Sequence, residues 1–206
     1  MYAIVTDNEI TKLISYPKSL VIGDVRYPAK IFSVWSTSEL NAIGIYEVVF
    51  DDSNKKDEKW YINTNQSYDF DGNEVTASYG SATAKAHADT LWTQDEINDG
   101  YAPEGTSPGD VKTRGLKYNL IKDLKITVAN ILSETDWYIT RNTEKSTAIP
   151  SSISTHRDAV RTKQTEMETA ITNASDTPAL ETLYTYTEQE DGSVTRPLGE
   201  LPRLES

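Results

Sequence analysis

The sequence has no cysteine, so no disulfide can staple it and no thiolate can hold zinc or an iron–sulfur cluster. Histidine is scarce as well. His87 and His156 lie far apart in the chain, and no local pair of imidazoles offers a metal site. No apolar run approaches the roughly 20 residues that a bilayer-spanning helix needs. Met1 is followed by Tyr2-Ala3-Ile4-Val5-Thr6-Asp7 rather than by a basic stretch and an apolar core, which is not how a secretory leader reads. The expectation is a soluble protein with no membrane partner. Phosphate-binding and nucleophile motifs are missing too: there is no glycine–lysine P-loop, no dinucleotide fingerprint and no nucleophile elbow. Asp69-Phe70-Asp71-Gly72 has the acid density of a calcium loop, but the glycine and the closing bidentate Glu fall at the wrong offsets. The carboxylate pairs Asp51-Asp52 and Asp57-Glu58 sit in a lysine-containing polar loop, where solvated turn chemistry explains them better than acid–base catalysis does. No catalytic residue, metal or cofactor is expected, and the chain reads as a non-enzyme.

Positive charge is in short supply. Against 32 acidic residues stand 20 basic ones, a formal charge of −12, and such a surface repels a polyphosphate backbone. The densest basic stretch holds Lys112, Arg114, Lys117, Lys122 and Lys125. It falls on a predicted amphipathic helix and reads as a solvated face. Nucleic acid is therefore not an expected partner.

What the chain does have is a change of periodicity along its length. Residues 1–80 read as short strands. Asp7-Asn8-Glu9 separates Tyr2–Thr6 from Ile10–Ser15, and Gly23-Asp24 separates two further runs. Ile31–Trp35 is rich in β-formers. Ser36 and Glu39 match a capping box for a short helical turn that Gly44 would stop. Asp71-Gly72-Asn73 between Tyr68–Phe70 and Glu74–Thr76 is the clearest hairpin signal. These features predict a small antiparallel β domain, sandwiched or rolled. Residues 81–109 are transitional, and the Gly- and Pro-rich 98–109 stretch marks them as a linker.

From about Asp110 to Glu134, Leu116, Leu120, Leu124, Val128 and Leu132 recur every four residues, a helical stripe. A second stripe, Ile153, Val160, Met167, Ile171 and Ala174, predicts a helix over about Ser154–Ala174, capped by Ser154 or Thr155. The sevenfold spacing within it suits a coiled-coil-like seam, and hence an antiparallel hairpin, with homo-oligomerisation expected. Thr177-Pro178 opens a short third helix, so the helical region spans 110–184. Residues 185–206 hold Asp191-Gly192, Pro197 and Pro202 without a periodic stripe. They read as an extended tail, disordered or docked on a partner. The fold class is α+β: a β domain, a long helical hairpin and a tail.

Ile131-Leu132-Ser133-Glu134-Thr135-Asp136-Trp137 closes the first long helix. Ile149-Pro150 follows, then His156-Arg157-Asp158-Ala159-Val160-Arg161. This arrangement resembles the C-terminal signature of phage tail fibre assembly proteins and related tail assembly chaperones. There a leucine-rich helix ends in Thr/Ser-Asp-Trp, a proline-containing connector follows, and a helix opens with Tyr-Arg-x-x-Leu-Arg. His156 replaces the tyrosine and Val160 the leucine, while Arg157 and Arg161 keep both arginines. Over its whole length the chain also resembles a set of uncharacterised marine and cyanobacterial phage proteins. The residues in common are the opening Met1–Val5, Gly44-Ile45-Tyr46, Tyr61–Gln66 and Thr195–Glu200.

The resemblance implies a tail fibre assembly chaperone that binds a tail fibre or another tail protein in the host cytoplasm, with Trp137, Arg157 and Arg161 as candidate partner-binding residues. Arg157 and Arg161, four apart, share one helical face and can meet Asp136 or Glu134 across the connector. That cluster equally suits a purely structural lock of the hairpin corner. A virion subunit of the fibre, baseplate or tail is the second reading. A glycan-binding adhesin, suggested by the aromatics of residues 27–79, is the third.

Overall fold

In the computed structural model, which describes residues 1–204, the chain folds as two compact units, residues 1–83 and 84–206. The class is α+β, with a β unit followed by long helices.

The first unit is built on strand β1 (Tyr2–Thr6), whose successive side chains are buried on both faces. Tyr2 and Ile4 enter one cluster, and Ala3 and Val5 enter the other. A strand covered on both sides must be central, and β1 pairs antiparallel with β2 (Glu9–Ile14) on one side and β5 (Ile45–Asp51) on the other. The hairpin at Asp7-Asn8 forms as expected, both residues taking positive φ. Beside it, β3 (Leu20–Ile22) and β4 (Val25–Tyr27) form a small separate hairpin.

Ile31–Trp35, expected as a strand, is instead the short helix α1 (Ile31–Val34). The reason is packing. Ile31 is buried with Phe32 and Trp35 against one side of the sheet, a grouping that a helical turn can bring together and an alternating strand cannot. Tyr2 meets Phe32 with ring centroids 4.7 Å apart, and Trp35 meets Tyr27 edge-on at 5.9 Å. The capping box of α2 (Thr37–Asn41) is complete: Ser36 accepts from the Glu39 N–H, and the Glu39 carboxylate accepts from Ser36.

Gly44 ends that turn at φ +79°, and its carbonyl accepts the Val5 N–H at 2.8 Å. A Cβ here would lie 2.5 Å from the Val5 carbonyl oxygen. Both the backbone angle and the close approach therefore require glycine.

The hairpin of β7 (Gln66–Phe70) and β8 (Val75–Tyr79) forms around Asp71-Gly72-Asn73, with Asp71 accepting the N–H groups of Asn73 and Glu74. The sheet order is β2-β1-β5-β8-β7. Three of its pairings are antiparallel as expected, but β5 and β8 are parallel. The polar connection after β5, which includes β6 (Tyr61–Ile62), carries the chain past one strand position. Its hairpin partner then fills the gap in the same direction as β5. Edges β2 and β7 approach each other, so the sheet nearly closes, with Val48, Val75 and Ala77 inside.

After β9 (Thr83–Ala84), the second unit opens in the stretch expected to be a linker, and that stretch is folded. β10 (Thr90–Leu91) pairs with β11 (Val111–Thr113), and α3 (Gln94–Asn98) carries a second capping box, Thr93 with Glu96. Lys112 and Arg114 are thus not on the long helix; they pair with Glu96 and Asp89. Helix α4 starts later than the periodicity suggested, at Leu116 rather than Asp110, and runs to Ser133. Asp89 accepts the Gly115 N–H at 2.8 Å, and the Ala88 backbone leaves no room for a Cβ on Gly115.

Helix α5 (Asp136–Lys145) occupies what was read as connector, and α6 runs over Ser151–Asn173. It begins right after Pro150, so Ser154 and Thr155 are inside it rather than caps. Helix α7 (Thr177–Tyr184) is capped by Asp176, with Pro178 in its first turn. Helices α4 and α6 pack antiparallel: Lys117 bonds the Thr172 carbonyl at one end, and Arg157 reaches Leu132 at the other. Leu120, Leu124 and Val128 are buried on α4, and Ile153, Val160, Met167 and Ile171 on α6. Full burial of Val160, Ile171 and Leu180 is worth roughly 1.5–3 kcal/mol each.

The described part of the tail folds back on the chain itself. β12 (Thr187–Glu188) and β13 (Val194–Thr195) form a hairpin around Asp191-Gly192. Leu198 is buried, and its N–H bonds the Leu183 carbonyl. No helix among the described residues is long and apolar enough to cross a membrane.

Two outcomes are expected. Gly44→Ala lowers the stability of the β unit by more than about 1 kcal/mol, read as a lower urea midpoint; an unchanged midpoint contradicts the close approach. Hydrogen bonds from backbone or side-chain donors hold the Glu39, Asp71, Asp89 and Glu96 carboxyls below the usual carboxylate range, the leading donors being Ser36, Asn73, Gly115 and Lys112 respectively. Their folded values lie below the unfolded ones, so this stabilisation is present above about pH 4 and is lost as the pH falls through the lowered values. Urea midpoints measured from pH 7 to pH 3 should fall, and Glu39→Gln should reduce the slope.

Candidate protein-binding surface at the hairpin corner

Helix α4 stops at Ser133, where an arginine from α6 bonds one of its last carbonyls. Arg157, on the first turns of α6, is buried. Its guanidinium donates to the Leu132 carbonyl at 2.6 Å, to the Thr135 hydroxyl at 2.7 Å and to the Asp136 carboxylate at 2.9 Å. The Thr135 hydroxyl in turn donates to the Leu132 carbonyl at 3.1 Å. A helix end leaves carbonyls without partners, and a planar fork with five donors is suited to gather one of them together with a hydroxyl and a carboxylate. The buried Thr135 marks the break, and α5 begins at Asp136.

Arg161, one turn further along α6, does not join this network. It pairs at 3.3 Å with Asp158 on its own helix and is about half exposed. Of the two arginines expected to meet the corner carboxylates, only Arg157 does, because the guanidinium of Arg157 points into the α4–α6 contact and that of Arg161 out of it. His156 is buried beside Arg157.

Trp137 stands on α5 with 51% of its surface exposed. Its ring lies against Tyr138, centroids 3.8 Å apart and planes 32° from parallel. Arg141 completes the group, with its guanidinium 4.7 Å from the Trp137 ring centre and 5.3 Å from that of Tyr138. Its Nε is shielded from solvent and has no hydrogen-bond partner. Tyr138 and Arg141 escaped the sequence reading because the segment was taken for a connector. Their signal was present: Trp137 and Arg141 are four apart, the spacing that stacks side chains on one helix face. Exposed Ile139 extends the apolar surface of α5.

The aromatics of residues 27–79 are largely absorbed by the β unit. Trp60 and Tyr61 are buried, and Tyr46 packs on Phe70 at 4.7 Å. No group of three or more His, Asp or Glu among the described residues is placed to hold a metal ion.

No family model, curated protein or solved structure matches the chain.

The corner geometry separates the two arginines experimentally. Arg157→Met leaves the Leu132 carbonyl and Thr135 with lost partners and should cost about 3 kcal/mol in chemical denaturation. Arg161→Met removes an exposed pair and should stay within about 0.5 kcal/mol of the parent. Equal losses for the two would contradict the assigned roles.

Proposed function

We propose that this chain is a tail fibre assembly chaperone, working by protein–protein binding to a phage tail fibre or another tail protein rather than by catalysis. The observation that supports it is the Trp137–Tyr138–Arg141 group on α5, whose Trp137 is one of the residues through which the sequence resembles the tail fibre assembly family. Trp, Tyr and Arg are the residues that dominate binding energy at protein interfaces. Here they are mutually stacked before any partner arrives, so little side-chain freedom remains to be lost on binding. In this reading Trp137 is the contact residue, and Arg157 acts indirectly, by holding the corner that presents it. Arg161 is exposed on the neighbouring helix and available at the rim.

The proposed place of action is the host cytoplasm during phage assembly. The heptad-spaced residues that suggested a homo-oligomer, Ile153, Val160, Met167 and Ala174, are all buried within the chain, so self-association would have to use another surface. A virion subunit is the alternative reading, in which the same aromatic group is a permanent contact in the tail.

Quantitative mass spectrometry of purified phage particles against infected-cell lysate distinguishes the two. A chaperone is abundant in lysate and absent from particles. Stoichiometric copies in particles would overturn the chaperone reading in favour of a structural subunit. In co-expression with the fibre protein of the same phage, Trp137→Ala should reduce co-purification by at least about tenfold, one decade being about 1.4 kcal/mol of binding.

A further inference from the structure

Helix α4 is apolar on two opposite sides. Its buried stripe, Leu120, Leu124 and Val128, faces α6. At about 100° per residue, Tyr118, Ile126 and Ala129 fall on the far side, flanked by Ile121. Tyr118 is 43% exposed and Ile126 51% exposed. With Ile121, Ala129, Lys122 and Lys125 they line one shallow groove along the helix.

The charge around this groove is opposite to that of the whole chain. The protein carries −12, yet the charged residues lining this groove are Lys122 and Lys125. Lys122 is exposed. Lys125 keeps 57% of its side chain in solvent, its ammonium 3.6 Å from Glu168. At the start of the helix the Arg114 guanidinium lies 4.2 Å from the Tyr118 ring centre. The exposed face therefore interleaves apolar side chains with Lys122 and Lys125.

That combination selects its occupant. A second copy laid across the same face about a twofold axis would set Lys122 and Lys125 against their own counterparts, which is repulsive. The groove runs over about three helical turns, roughly 17 Å at 1.5 Å per residue. It is too small to bury the ~800 Å² per partner of a stable dimer. It fits one short amphipathic helix, whose apolar row meets Tyr118, Ile121 and Ile126 while flanking carboxylates meet Lys122 and Lys125.

We propose that the outer face of α4 is a docking groove for an acidic amphipathic helix of a partner protein. The groove is separate in sequence from the α5 aromatic group and does not depend on the tail-assembly reading. An apolar face interleaved with lysines attracts such a helix whatever the partner's biological origin.

The test uses the full chain and two designed fluorescein-labelled helical peptides. Both carry Leu at i, i+3, i+4 and i+7; one has Glu at the flanking positions and the other has Lys there. In fluorescence anisotropy the Glu peptide should bind at least about tenfold more tightly than the Lys peptide. Raising salt from about 50 to about 300 mM should weaken it. Ile126→Glu should abolish binding, and Lys122→Glu with Lys125→Glu should reverse the preference towards the Lys peptide. These positions lie away from the α4–α6 contact, and circular dichroism melting of each variant checks that the fold is kept; Tyr118→Ala provides a milder substitution should Ile126→Glu unfold. Equal binding of the two peptides, binding of neither, or indifference to the charge reversal would each overturn the proposal. So would sedimentation showing a dimer that Ile126→Glu dissociates, since the face would then be occupied by a second copy.

Discussion

The helical unit depends on what Arg157 does to the end of α4. A buried guanidinium is costly unless its donors are satisfied. Here they are satisfied by the Leu132 carbonyl, the Thr135 hydroxyl and the Asp136 carboxylate. The same bonds stop one helix, start the next and tie both to the first turns of α6. Further along, the α4–α6 contact is mainly apolar, with Lys117 on the Thr172 carbonyl at its far end. The polar corner supplies a fixed point that a row of Leu, Val and Ile does not. Sliding α6 by one turn would withdraw the guanidinium from the carbonyl, the hydroxyl and the carboxylate that satisfy it, leaving a buried charge without those bonds. The register of the hairpin and the position of α5 follow from that.

A comparable division holds in the β unit. Burial of β1 on both faces sets which strands neighbour it, and the local chemistry of Ser36–Glu39 and Gly44 sets where the chain turns between β1's two partners. Gly44 contributes twice, by allowing a positive φ and by letting its carbonyl reach Val5. Both units therefore combine apolar surface, which sets how much is buried, with a few polar or glycine positions, which set geometry. This is the consistency across levels by which one structure is specified over its competitors.

The exposed surfaces of α5 and α4 differ in kind. On α5 an aromatic pair is stacked with an arginine, a compact group with little freedom left. On α4 apolar side chains are interleaved with two lysines in an otherwise acidic protein. The first suits a contact anchored by a few large side chains, the second a contact steered by charge. Neither resembles a catalytic constellation, which would bring titratable groups together in a cleft.

Much of this was legible from residue order alone. The fourfold stripe of α4, the stripe of α6, the hairpins at Asp7-Asn8 and Asp71-Gly72-Asn73, and the Ser36–Glu39 cap are local patterns. Each depends on residues within a turn or two of one another. Other features were not legible, among them the helical state of Ile31–Val34, the parallel β5–β8 pair, the folded stretch read as a linker, the return of the tail onto α7, and the separate fates of Arg157 and Arg161. These depend on what lies opposite in space. Ile31 is helical because the sheet face it covers rewards a clustered grouping over an alternating one. β8 is parallel to β5 because the connection skips a strand position. Arg157 is buried while Arg161 is exposed because the end of α4 lies opposite only the first. Local preference set the elements. Long-range burial and the satisfaction of polar groups chose among the arrangements those elements allow.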